Sequence, residues 1–267
     1  MSEIKDCIGV FDSGLGGLTV AKELMAIMPN ENIIYFGDTA HVPYGTKSPK
    51  EIIGYVMDDM AFLSSFAPKA IVIACNTADS IAKNLVADSY DFPVFGVVEP
   101  ASKVAAGISQ NNRIGVVATN ATISSHAYDQ TIHRFNPSAE VFAIACPLLV
   151  PLVEEGRFNN GDEVVEKIVE EYLEPLKKAQ IDTLVLGCTH YPLLYDVFKK
   201  KMPGVNILSS SKHAALAARD SLLQMGLLND GPEGKREYYV SDDETSFEKQ
   251  AKLFMGDLGG PVKRHKI

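Results

Sequence analysis

Short runs of Val, Ile and neighbouring apolar residues recur along the chain, and between them apolar positions return every three or four residues. The runs are Ile8–Phe11, Asn32–Phe36, Ala70–Ala74, Val94–Val98, Arg113–Val117 and Thr183–Leu186. Their apolar residues are consecutive rather than alternating, which fits strands covered on both faces of a parallel sheet. Leu18, Ala21, Leu24, Met25 and Met28 mark one helical apolar stripe, and Val165, Ile168, Val169, Tyr172 and Leu176 mark a later one, each expected to face a core. Strand and helix alternate almost throughout, so the pattern predicts an α/β protein built on parallel sheet.

A weak internal echo divides this pattern in two. Ile8-Gly9-Val10-Phe11-Asp12-Ser13 resembles Ile114-Gly115-Val116-Val117-Ala118-Thr119, and each is followed by a later strand that ends in a cysteine, AIVIACNTADS and then TLVLGCTHYPL. The expected architecture is two similar parallel-sheet αβα domains facing each other across a cleft. Residues 1–97 with 207–267 make the first, discontinuous domain, and residues 98–206 the second. Ligands of such sheets sit at the carboxyl ends of the strands, where both cysteines fall. The closing stretch Gly259–His265 reads as a frayed basic end.

With 267 residues, 46% hydrophobic and 22% charged, the chain has ample material for a buried core, which excludes disorder, collagen-like repeats and coiled coil. No apolar run approaches the roughly 18 to 20 residues of a membrane span, and the opening MSEIKDCIGVFDSG lacks the basic and apolar regions of a signal peptide. A cytoplasmic protein is expected. The formal net charge of -9 argues against nucleic acid or an anionic membrane as partner, and leaves room for a local cationic pocket that takes a small acid. Cys7, Cys75, Cys146 and Cys188 lie far apart without zinc-site spacing. No metal is expected, and each cysteine is either a small buried hydrophobe or a reactive thiol.

Three segments place chemistry at strand ends. Val10-Phe11-Asp12-Ser13-Gly14-Leu15-Gly16-Gly17-Leu18 is a strand, a polar pair and a glycine-rich turn opening a helix. It fails both the dinucleotide fingerprint, which needs glycine at Thr19, and the P-loop, which needs Gly-Lys-Ser/Thr. Either the helix start offers backbone N–H groups to a carboxylate, or Asp12 or Ser13 simply caps it. Cys75 comes at a second helix start, where the partial positive charge favours thiolate; the alternative is packed core, with Asn76 or Thr77 as the cap. Cys188 precedes Thr189, placed to cap, and Pro192, suited to a first helical turn, so it meets the same local physics. His190 adds a titratable neighbour. Two thiols at equivalent strand ends of two half-repeats are hard to explain as packing alone. The loop Asp38–Lys47 brings Tyr44 and backbone N–H groups to another strand end, and Ala118–Thr122 brings hydroxyls; a surface turn and helix capping are their simpler readings. Cys7 and Cys146 lack such context and read as structural.

FDSGLGGLTV, FGDTAHVPYGTKS, ACNTA, VVEPA, CPLLVPLVEEG and LGCTHYPLL, in this order across nearly the whole chain, closely resemble the glutamate racemases of the aspartate/glutamate racemase group. The resemblance implies an isomerase that interconverts L- and D-glutamate without a cofactor, a cytoplasmic homodimer supplying D-glutamate for peptidoglycan. It implies one catalytic cysteine from each domain, Cys75 supported by Asp12 and Cys188 supported by His190, with Glu154 as a further assisting carboxylate. It also implies substrate contacts at Asp12, Ser13, Tyr44, Gly45, Asn76, Thr77, Thr122, Thr189 and His190. Such a reaction takes a proton from one face of the α-carbon and returns one to the other, which two opposed groups can do if one is deprotonated while the other is protonated. By the resemblance, Cys75 takes the proton from D-glutamate and Cys188 from L-glutamate.

Some positions depart from the family. Ala118 and Ala121 stand where glycine is usual, Asp79 and His126 where small residues are, and Ser209-Ser210-Ser211 replaces a DSA-like stretch. Asp79 lies one helical turn beyond Cys75, where an inward carboxylate would oppose thiolate formation. Three other readings stay open: a racemase of the same group acting on aspartate or another amino acid, a non-catalytic glutamate-binding protein on the same scaffold, and a thiol redox protein. The last is disfavoured because neither Cys75 nor Cys188 has a resolving neighbour.

Overall fold

The apolar runs pair into two parallel sheets. The computed structural model describes residues 4–266; residues 1–3 and 267, which the sequence assigns to the first domain, lie outside the described residues. In the first sheet β1 (Cys7–Asp12) lies between β2 (Asn32–Gly37) and β3 (Ala70–Ile73), with β4 (Val94–Phe95) beyond β3. In the second, β5 (Arg113–Ala118) lies between β6 (Glu140–Ala145) and β7 (Thr183–Gly187), with β8 (Asn206–Ser209) beyond β7. The orders β2-β1-β3-β4 and β6-β5-β7-β8 are the same, so the echo in the sequence is a repeat of topology. β9 (Arg236–Val240) and β10 (Val262–Arg264) extend the first sheet beyond β2. The pairings are parallel in both sheets, and the chain adopts the expected pair of α/β domains.

Alternation along the strands sends side chains to two covers. Ile8, Val10, Ile33 and Tyr35 pack toward α1 (Leu18–Ile27), whereas Phe11, Ile34 and Phe36 pack toward α2 (Pro49–Ser64) and α3 (Asn76–Val86). Each of these side chains is fully buried and contributes about 1.5–3 kcal/mol relative to exposure. α2 starts where Ser48 and Glu51 form a capping box around Pro49. On the α1 side the core continues through α4 (Val98–Ile108) and α10 (Ser210–Gln224) into the second domain. There α5 (Asn120–Ser124) and α6 (Ala127–Phe135) follow β5, α7 (Leu149–Glu154) and α8 (Glu163–Lys178) follow β6, and α9 (Tyr195–Lys201) follows β7. α11 (Glu244–Met255) joins β9 to β10 and packs on α1.

The structure differs from the sequence reading at several ends. β4 stops at Phe95 because Asp79 Oδ2 accepts from Val97 N and Val98 N, both at 2.7 Å, and so starts α4 there. β6, β9 and β10 escape the apolar pattern because Glu140, Arg236-Glu237 and Lys263-Arg264 interrupt it; β6 and β10 are edge strands, where charged residues discourage further pairing. Gly259–His265 is therefore no frayed end: Val262–Arg264 pair with β9, Arg264 meets Asp242 at 3.0 Å, and His265 stacks on Phe62 at 4.0 Å. The expected return to the first domain at residue 207 falls inside β8, whose pairing with β7 keeps the chain in the second sheet through Ser209.

Candidate active site

Both sheets reverse their winding at the central strand. The chain leaves β1 on one side for β2 and crosses to the other side at β3, and β5 does the same with β6 and β7. Such reversals open a crevice at the carboxyl ends of the strands. The two crevices meet in one cavity of about 360 Å³, lined by Ser13, Tyr44, Gly45, Cys75, Asn76 and Thr77 from the first domain and by Glu154, Cys188, Thr189 and His190, among others, from the second.

Asp12 lies beneath this cavity rather than in its wall. Its Oδ2 accepts from Gly14 N at 2.9 Å and its Oδ1 from Thr189 Oγ1 at 3.4 Å, so one buried carboxylate ties the glycine turn to the opposite domain. Burial pushes its pKa up, against the pull of His190 and of the Gly17 and Gly14 N–H groups. The start of α1 is not an anion site, because the N–H groups of Leu18, Thr19 and Val20 already bond to Leu15, Gly16 and Gly17 carbonyls. Nor do Asp12 or Ser13 cap it: Gly17 holds the N-cap position, without a side-chain cap.

Cys75 is the N-cap residue of α3, as expected, with its sulfur 3.7 Å from Ser13 Oγ. The expected drift toward thiolate is overridden. Burial first, and the Asp12 carboxylate second, push the thiol up to about 12, against bonds from Ala78 and Ser13. Asp79 does not contribute, because its carboxylate faces the start of α4. Beside Cys75, Asn76 is anchored on both sides of its amide: Tyr128 donates to Oδ1 at 2.6 Å, and Nδ2 donates to Ser210 at 3.3 Å. The hydroxyls of Thr77, Thr119 and Thr122 close a triangle of 2.9, 3.1 and 3.0 Å that links the two domains. Thr77 and Thr119 line the cavity, and Thr122 stands behind them.

Cys188 meets different physics from Cys75. Thr189 caps nothing; a short 3-10 turn, Tyr191–Leu194, follows, and α9 begins only at Tyr195. Support comes from side chains instead: Cys188 Sγ lies 3.8 Å from His190 Nδ1, and His190 Nε2 lies 3.1 Å from Glu154 Oε1. Burial alone lowers the affinity of His190 for its proton, but Cys188 and Glu154 outweigh it and hold the imidazole up at about 10. The folded protein thus keeps a proton that the unfolded chain releases near 6.5. The stability this supplies is fully present below pH 6.5 and is lost as pH rises to about 10. Melting temperature should therefore fall across that window, and His190→Asn should flatten the fall; an unchanged slope in the variant rules out this cause.

Tyr44 is buried and lines the cavity, with its hydroxyl 2.6 Å from Asp38 Oδ2. Gly45 and Gly16 lie at the seam between the domains. A Cβ on Gly45 would come within 2.9 Å of Thr119 Cβ, and one on Gly16 within 2.2 Å of Thr189 Oγ1.

The cavity thus gathers Ser13, Tyr44, Gly45, Asn76, Thr77, Thr189, His190, Glu154 and both expected thiols, and leaves Asp12 and Thr122 one layer behind. It is not a cationic pocket: among the described residues no Lys or Arg lines it, and His190 is the one basic side chain there. Thr46, Asn120, Pro147, Val150 and Pro151 also line it without having been singled out. The last three belong to CPLLVPLVEEG, whose apolar run reads as core when taken alone. Cys7 and Cys146 are buried outside the cavity, as structural thiols should be.

Comparison with known proteins gives this arrangement a context. The family described as Asp/Glu/Hydantoin racemase matches residues 18–218. A glutamate racemase of Sulfurihydrogenibium sp. (strain YO3AOP1) is 44% identical over 252 residues, 94% of this chain and 94% of its own. The crystal structure of a glutamate racemase isoform from Bacillus anthracis superposes with a TM-score of 0.91 at 36% identity, covering 98% of this chain and 97% of that one. That of a glutamate racemase from Francisella tularensis subsp. tularensis SCHU S4, in complex with D-glutamate, does so with a TM-score of 0.90 at 38% identity, covering 98% and 97%. The resemblance carried by the six motifs is borne out, and the chain belongs to the Asp/Glu/Hydantoin racemase family.

Proposed function

We propose that the protein interconverts L- and D-glutamate, with Cys75 and Cys188 as the two acid/base groups. The observation that carries this reading is that two cysteines from equivalent strand ends of two different sheets line one cavity. Their surroundings are unequal. Cys75 is held as a thiol, by burial and Asp12. Cys188 faces the His190 imidazole, whose proton it helps to retain together with Glu154. In this reading Cys188 takes the α-proton of L-glutamate, and Cys75, held as a thiol, delivers one to the other face. The reverse reaction starts from the opposite protonation.

The α-hydrogen of an amino acid is very weakly acidic, so the chain must stabilise the charge that develops. The cavity does this with neutral donors. At the start of α3 the N–H groups of Asn76 and Thr77 precede the first intrahelical bond, and the Thr77 and Thr119 hydroxyls can rotate out of their triangle toward a carboxylate. A well-placed donor of this kind is worth about 3 kcal/mol in the transition state. Ser13, Tyr44, Gly45, Asn76, Thr189 and His190 complete the contacts with substrate, while Asp12 and Thr122 act by holding Thr189 and Thr77. The reading carries with it D-glutamate made for peptidoglycan by a cytoplasmic homodimer.

Incubation of the purified protein with L-glutamate in heavy water, without added cofactor, tests it. Optical rotation should decay to zero while deuterium enters the α-position, and aspartate should remain unchanged. Binding of glutamate without α-deuteration would leave only a binding protein, and turnover of aspartate instead would reassign the substrate.

A further inference from the structure

We infer that Asp59 is a positioning residue of the cavity wall, a neutral carboxylic acid that donates to Tyr44 and so fixes the Tyr44–Gly45 turn against the substrate. The inference rests on the reading of the cavity as a glutamate site. It starts from a proton count. Tyr44 Oη lies 2.6 Å from Asp38 Oδ2 and 3.1 Å from Asp59 Oδ2, yet a phenol has one proton to give. The shorter contact takes it. Asp38 is otherwise well supplied, with Ser241 Oγ donating to Oδ1 at 2.8 Å and His41 Nδ1 at 2.8 Å from Oδ2. The second contact can then be a hydrogen bond only if Asp59 supplies the proton and the Tyr44 oxygen accepts it.

The surroundings of Asp59 agree. It projects from α2 with no exposed surface, and its Oδ1 has no hydrogen-bond partner. The charged groups that act on it most strongly, Asp38 from the loop after β2, Asp58 from its own helix and Asp12 from the end of β1, are all acidic, while the His41 imidazole sits against Asp38. An ionised carboxylate there would be a buried charge without a partner, whereas a neutral acid leaves only one weak acceptor unused. Tyr55, also from α2, stacks on His41 at 4.1 Å and packs against Tyr44 at 5.5 Å. α2 thereby sets the height of a turn that both walls the cavity and meets Thr119 of the other domain.

Infrared difference spectroscopy between wild type and Asp59→Asn, on resting protein at neutral pH, should show loss of the carbonyl stretch of a protonated carboxylic acid. A difference confined to carboxylate bands overturns the assignment. Because this measurement needs no turnover, it decides the protonation of Asp59 whether or not the protein racemises glutamate. The kinetic arm uses the same variant, whose amide N–H can replace the acid as donor to Tyr44. Asp59→Asn should keep KM for glutamate within about 3-fold, whereas Asp59→Leu should raise it about 10-fold with kcat changed much less. An Asp59→Asn variant as impaired as Asp59→Leu, or a KM indifferent to both, overturns the positioning role; should Asp59→Leu fail to fold, the spectrum and the KM of Asp59→Asn decide.

Discussion

Alanine at Cys75 or at Cys188 lowers kcat/KM for racemisation by about 10²–10⁴-fold in both directions, because a positioned acid or base contributes that much and each direction needs both. The loss is symmetric in direction although the two sites differ in detail. What survives is not symmetric. With Cys75 gone, Cys188 can still remove and return the proton on its own face, so slow α-deuteration of L-glutamate without inversion is expected. With Cys188 gone, the same holds for D-glutamate. Both sulfurs line an internal cavity, and trimming one to a methyl group leaves the surrounding strands intact, so melting temperature should move by only a few degrees. Polarimetry with mass or NMR detection of α-deuterium checks all of this, and near-normal turnover by either variant would refute the assignment.

What the sequence revealed of this site, and what it hid, follows the range of the interactions. The run AIVIA ends at Cys75 and Asn76-Thr77 opens a helix, so the place of that sulfur is a local matter and is readable. Its protonation is not, because it depends on Asp12 at the end of another strand and on burial between domains. Cys188 shows the same division. Its strand-end position is local, but the motif suggests a helix cap where the fold provides a His190–Glu154 relay, and Glu154 comes from a helix far back in the chain. Asp79 is the clearest instance. From spacing alone it threatens the neighbouring thiol, yet its carboxylate satisfies two N–H groups at the start of α4 and never meets Cys75. The central strands were legible because both faces are covered; the edge strands β6 and β10 were not, since Glu140 and Arg264 occupy exposed positions and Lys263 a half-buried one.

Gly16→Ala should cost at least about 100-fold in kcat/KM, although it adds only one methyl group and removes no functional side chain. The new Cβ would lie 2.2 Å from Thr189 Oγ1 and 2.6 Å from His190 Nδ1, distances no real contact allows. These neighbours belong to the opposite domain, so the clash is relieved either by parting the domains or by pushing the Thr189–His190 segment outward. Parting the domains draws Thr189 away from Asp12 and Cys188 away from Cys75, whereas pushing the segment outward draws His190 away from Cys188, and a misplacement of about 1 Å at a catalytic constellation costs about 10²-fold. Gly54→Ala supplies the control. Gly54 is exposed within α2 with nothing near its Cβ position, so alanine there should stabilise the helix by about 0.5–1 kcal/mol and leave turnover unchanged. If Gly16→Ala racemises glutamate as fast as Gly54→Ala, then contact between the glycine turn and the Thr189–His190 segment is not what assembles the site.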